Sequence, residues 1–85
     1  MLKDAEIRVK MIEALQSIAP DTMGVGQLDD DLNLQDKFDL DSVDLVRYLA
    51  KLEEVFGISL AGLNYRSFLT IRDGMGLLRS KFDRP

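Results

Sequence analysis

Three stretches of this chain repeat their apolar residues at steps of three and four, and no stretch alternates apolar with polar residues. That pattern predicts packed helices and no sheet. In the first stretch Ile7, Met11, Leu15 and Ile18 fall on one helical face with Ala14 beside them, and Pro20 closes the segment. The second opens at Asp41, an N-cap residue type with Asp44 three positions on, and stops at Gly57 after Phe56. The third repeats Ile71, Met75, Leu78 and Phe82 behind Thr70 and Asp73, a pair with capping-box spacing. Gly74 and Gly76 weaken that last helix by about 1 kcal/mol each relative to alanine. Before it, AGLNYRSFL has room for one short helical turn. From Asp21 to Leu40 no period survives, and Gly24, Gly26 and LDDDLNLQDKFDLD read as a long connecting loop with scattered apolar anchors. The expectation is a single all-α domain over residues 1–85, a four-helix bundle with a long first loop and a short third helix.

Composition narrows the function. At 85 residues the chain supports one modest core and no second domain. It contains neither cysteine nor histidine. Disulfides, thiolate metal sites, a cysteine nucleophile, a Ser-His-Asp triad and the commonest zinc ligand are thereby excluded. Self-contained catalysis is not expected, and no metal is called for. A net charge of −4 disfavours nucleic acid and points to protein partners with basic surfaces. There is no apolar run long enough to span a bilayer, and MLKDAEIRVK carries charges where a signal peptide needs an apolar stretch. The reading is a cytoplasmic monomer with no stable membrane insertion.

The second helix carries two apolar faces. At about 100° per residue, Leu45, Leu49, Leu52 and Phe56 cluster within about 40°, with Tyr48 at the margin, and form the core stripe. Val43, Val46 and Ala50 fall in a separate sector flanked by Arg47, Glu53 and Glu54. A helix packed on one side has no use for that second sector. Small apolar residues rimmed by charge make a protein-docking surface.

Ser42 stands at the start of this helix. A serine there ordinarily caps it, but Asp41 already supplies a cap and leaves the hydroxyl presented at the junction of an acidic loop and the docking helix. No histidine or lysine neighbours it to activate it as a nucleophile. Chemistry at Ser42 therefore has to be supplied by another enzyme.

The stretch FDLDSVDLVRYLAKLEEVFGISL resembles the modification motif and recognition helix of the acyl carrier and peptidyl carrier proteins. Asp41-Ser42-Val43 is similar to their Asp-Ser-Leu motif, and the likeness extends to the amphipathic first helix, the acidic loop and the threonine-capped last helix. The resemblance implies a bundle of acyl-carrier-protein type whose Ser42 accepts 4'-phosphopantetheine from coenzyme A, the arm's thiol then holding an acyl or aminoacyl group as a thioester. It implies a phosphopantetheinyl transferase, an acyl- or aminoacyl-loading ligase, and downstream transferases or synthases of fatty acid, polyketide, peptide or other specialised biosynthesis as partners. Asp41, Val43, Asp44, Val46, Arg47, Ala50, Glu53 and Glu54 are the docking residues it implies.

The chain departs from the fatty-acid-synthesis members at two positions. Asp39 stands where they usually have glycine, and Arg47 where they usually have glutamate. A cation inside an acidic docking face penalises partners that meet it with arginine or lysine. NYRSFLTI is similar to a tyrosine-containing region of specialised free-standing carriers, some of them aminoacyl carriers.

Other readings are weaker. Asp29, Asp31 and Asn33 match the first ligand spacings of an EF-hand, but Leu34 and Leu40 stand where that loop needs glycine and glutamate. The loop reads instead as solvated acid. Arg66, Arg72, Arg79, Lys81 and Arg84 read as a solvated basic face near the C-terminus. The competing function is a helical adaptor that binds partners through Val43, Val46 and Ala50 with no prosthetic group, and a degenerate carrier that docks but resists loading is a further one.

Overall fold

The computed structural model describes residues 3–19 and 28–82. Within them lie four α-helices, α1 (Asp4–Ile18), α2 (Leu34–Phe38), α3 (Ser42–Phe56) and α4 (Ile71–Phe82), and a 3₁₀ turn, Tyr65–Phe68. Pro20, Met23, Gly24, Gly26 and Arg84 fall outside the described residues.

The architecture is the expected helical bundle. α1 packs against α3 and α4, and the 3₁₀ turn also packs against α3 and α4. The periodic residues of α1 supply one wall of the core: Ile7, Met11, Ala14 and Leu15 are buried, joined by Ile12. From α3 come Leu45, Tyr48 and Leu52, from the 3₁₀ turn Phe68, and from α4 Ile71 and Leu78. Phe56 and Phe82 meet ring to ring at 5.7 Å, tying the C-terminal ends of α3 and α4 together.

Two details differ from the sequence reading. The long first loop contains a helical turn, α2, whose N-cap Asn33 accepts a hydrogen bond from the Asp36 N–H at 3.1 Å. Leu34 is its buried anchor, and the Leu34 N–H donates to the Leu69 carbonyl at 2.7 Å. Five residues are too few for a helical period to show, and a helix that short depends on its tertiary anchors. Second, the core stripe of α3 is turned toward Tyr48, which is fully buried, while Leu49 and Phe56 are half-buried. Leu49 packs at the core's edge and faces the 60–65 segment, which the helical wheel alone does not show.

The loop aspartates are also paired with arginines of the helices. Arg8 of α1 donates from Nε to Asp30 at 2.6 Å and from Nη2 to the Leu28 carbonyl at 2.5 Å. Arg72 of α4 donates to both oxygens of Asp31, and the Arg72 N–H donates to the Asp30 carbonyl at 3.0 Å. Arg79 pairs with Asp4 at the start of α1. Two of the basic residues read as a solvated face thus bridge α4 to the loop and to α1.

Candidate functional site

The site is built on the first turn of α3. Asp41 is the N-cap: its Oδ1 accepts from the Asp44 N–H at 2.8 Å, and Asp44 Oδ2 accepts from the Asp41 N–H at 3.2 Å. This reciprocal box satisfies two of the donors that a helix start leaves orphaned, and sets two carboxylates at the positive end of the helix dipole. Ser42 follows as the first helical residue, exposed, and its hydroxyl makes no hydrogen bond among the described residues. Capping has been taken over by Asp41, so the Ser42 oxygen stands free in solvent beside a helix N-terminus, where a phosphate group is favoured by the dipole.

The approach to α3 is fixed by Asp39. This residue ends α2 in the left-handed region, at φ 52° and ψ 48°, with its N–H donating to the Gln35 carbonyl. Glycine is the ordinary choice for such a position because it lacks the Cβ that makes the conformation costly, and aspartate is one of the few other residues that tolerate it. Leu40 is then buried, which holds the chain down between the two helices just before Asp41.

Beyond Ser42, Val43 and Val46 are 56% and 55% exposed, and Arg47, Ala50 and Glu54 are exposed with them. The charged neighbours are largely engaged. Lys51 pairs with Glu54 at 3.5 Å, and the half-buried Glu53 turns its Oε2 to the Leu60 N–H at 2.7 Å. Glu53 thus fastens the segment after α3 back onto the helix. Arg47 makes no hydrogen bond or ion pair among the described residues.

The tertiary structure adds a groove of about 450 Å3 between α3 and the 60–65 segment, lined by Val46, Leu49, Ala50, Glu53, Leu60, Leu63, Asn64 and Tyr65. Ser42, Val46, Leu49 and Glu53 are spaced four, three and four, so the side of α3 that bears the hydroxyl is the side that walls the groove. The contribution of Leu60, Leu63 and Tyr65 was not readable in sequence, because a segment without periodicity gives no sign of which helix it folds against.

The family of the chain follows from its match to a family model. A family model described as phosphopantetheine attachment site matches residues 13–73, more than two thirds of the chain. The chain belongs to that family. It is a carrier of the acyl and peptidyl carrier class, and 4'-phosphopantetheine is the group such a domain holds covalently. The matched segment contains the Asp41–Asp44 capping box, Ser42, all of α3 and the groove. No curated protein and no solved structure gives a match. A carrier domain acts in general as a non-catalytic cosubstrate, and its family meets phosphopantetheinyl transferases and biosynthetic enzymes. No helix among the described residues is long and apolar enough to cross a membrane.

The residues present fit the prosthetic group. A hydroxyl without an internal partner, exposed at a helix N-terminus already capped by its neighbour, meets the needs of a phosphodiester linkage. When bound, the arm supplies a thiol that carries cargo as a thioester.

Proposed function

We propose that Ser42 is the attachment residue and that the chain presents a thioester-linked acyl or aminoacyl intermediate to the enzymes of a biosynthetic pathway. The observation that carries this reading is the freedom of the Ser42 hydroxyl, exposed and unbonded in a first turn whose capping belongs to Asp41 and Asp44. In the loading step Ser42 Oγ forms a bond to phosphorus as the pyrophosphate link of coenzyme A breaks. The nucleotide half of coenzyme A leaves, and the serine proton passes to a base of the transferase. The chain contributes no base of its own, having no histidine and no lysine next to Ser42.

Each remaining part of the site has a role in this reading. Asp41 and Asp44 hold the first turn in register, so that the hydroxyl is offered in one orientation. Val43, Val46, Arg47, Ala50, Glu53 and Glu54 lie along the helix that partners grasp, with Glu53 also tying the groove wall in place. The groove is lined mostly by apolar side chains, Val46, Leu49, Ala50, Leu60 and Leu63, with Glu53 and Asn64 as polar members, and Glu53 is already bonded to Leu60. The carrier is proposed to work in the cytoplasm as a monomer, with a loading ligase and downstream transferases or synthases as its partners.

Intact-protein mass spectrometry tests the assignment. The chain is incubated with coenzyme A, magnesium and a panel of broad-specificity phosphopantetheinyl transferases, with Ser42→Ala as control. The expected result is a gain of one phosphopantetheine in the wild type and none in Ser42→Ala. No gain across the panel favours the unmodified adaptor or the degenerate carrier instead.

A further inference from the structure

Along the exposed side of α3 the charges are not equivalent. Asp41 and Asp44 are tied to each other's backbone N–H groups, Lys51 is paired with Glu54, and Glu53 is bonded to Leu60. Arg47 alone on this helix has a full charge with no hydrogen bond or ion pair among the described residues. It stands at the edge of the Val43, Val46 and Ala50 patch, in which both valines are more than half exposed. Such an arginine has made no contact within its own fold that a partner would first have to break. The apolar patch lies along one side of it and excludes water when covered, which strengthens a charge pair made at its edge.

We infer that the transferase that modifies Ser42 seats Val43 and Val46 in an apolar socket and meets Arg47 with a carboxylate, an inference that rests on Ser42 being the attachment residue. That enzyme has to cover the N-terminal turns of α3 to reach the serine, and Val43 and Arg47 lie within the first two turns. The exposed Asp39 and Asp41 mark the other end of the same surface. The complementary strip on the enzyme therefore runs from basic, through apolar, to acidic, and this order fixes the direction in which the helix is grasped. Guanidinium to carboxylate is the pairing with matched planar geometry, and arginine is preferred to lysine wherever that match is used.

The test is the steady-state loading of the full chain by the phosphopantetheinyl transferase of its own source organism, comparing wild type with Arg47→Lys, Arg47→Ala and Arg47→Glu. Arg47→Lys and Arg47→Ala are each expected to lose about threefold or more in kcat/KM, and Arg47→Glu about tenfold or more, chiefly through KM. Added potassium chloride is expected to lower the wild-type kcat/KM more steeply than that of Arg47→Ala. Arg47 is exposed and makes no hydrogen bond or ion pair among the described residues, so thermal unfolding of all three variants should match wild type. A smaller loss in Arg47→Glu, or faster loading by it, overturns the inference while leaving the carrier reading intact. Were Arg47→Glu to misfold, the loss in Arg47→Ala decides in its place. Failure of the wild type to be loaded removes the carrier reading itself, and the inference with it.

Discussion

Asp41 supplies the cap that a serine at a helix start ordinarily supplies, and so leaves the Ser42 hydroxyl unused by the fold. Tyr48 shows the opposite economy. Its ring fills the core completely, yet its hydroxyl is buried with no hydrogen-bond partner among the described residues. Burial without a partner disfavours the charged form, so its ionisation is pushed well above the ordinary tyrosine value of 10.0. A buried hydroxyl without a partner costs about 1–3 kcal/mol of desolvation, none of it returned here by bonding. Tyr48→Phe should therefore leave the fold intact and raise stability, by about 1 kcal/mol, in urea unfolding followed by circular dichroism. A loss of stability in that variant would mean that the hydroxyl has a partner in solution.

At the scale of the element, α4 joins two glycines that are physically different. A Cβ at Gly76 would meet nothing within 4 Å, whereas at Gly74 it would sit 2.5 Å from Met11 Cε and 3.1 Å from the Phe68 ring. Gly76 weakens the helix for no packing gain. Gly74 lets α1 and the 3₁₀ turn approach α4 closely, and Met11, itself fully buried, has little room to retreat. Gly76→Ala is expected to stabilise the chain by about 1 kcal/mol, and Gly74→Ala to give less or to destabilise, in paired thermal unfolding experiments. α3 has the same duality on its two faces: the side bearing Tyr48 and Leu52 is closed in the core, and the side bearing Val43 and Val46 is left open.

At the scale of the whole molecule, arginine–aspartate pairs fasten segments far apart in sequence. Arg8 and Arg72 reach the acidic loop from α1 and α4, while Arg79 joins α4 to the start of α1. The Arg72 hydrogen bond holds the Asp31 carboxyl below its ordinary value of 3.8. A carboxylate depressed on folding stabilises the native state fully above its unfolded pKa. That contribution is lost as pH falls from 3.8 through the lower folded value. In Arg72→Gln the Asp31 titration, followed by carboxyl-carbon NMR, should move up toward 3.8, and the acid limb of the stability profile attributable to this pair should flatten. Because both groups are exposed, added salt should bring the wild type toward the variant.

The sequence by itself determined the helical class, the positions of α1, α3 and α4, the capping roles of Asp41 and Thr70, the stop at Gly57, and Ser42 as the candidate for modification. These are local matters of period, cap chemistry and left-handed turn residues, and the chain states them within a few positions. Asp39 was visible only as a departure from related sequences, and its backbone conformation supplies the physical sense of that departure. The tertiary structure alone decided that Leu34 anchors a helical turn inside the loop, that Tyr48 outranks Leu49 in the core, that Glu53 holds Leu60, and that the 60–65 segment walls a groove along the side of α3 that bears Ser42. Each of these depends on which segments meet across the bundle, and an aperiodic loop carries no local record of the helix against which it will pack.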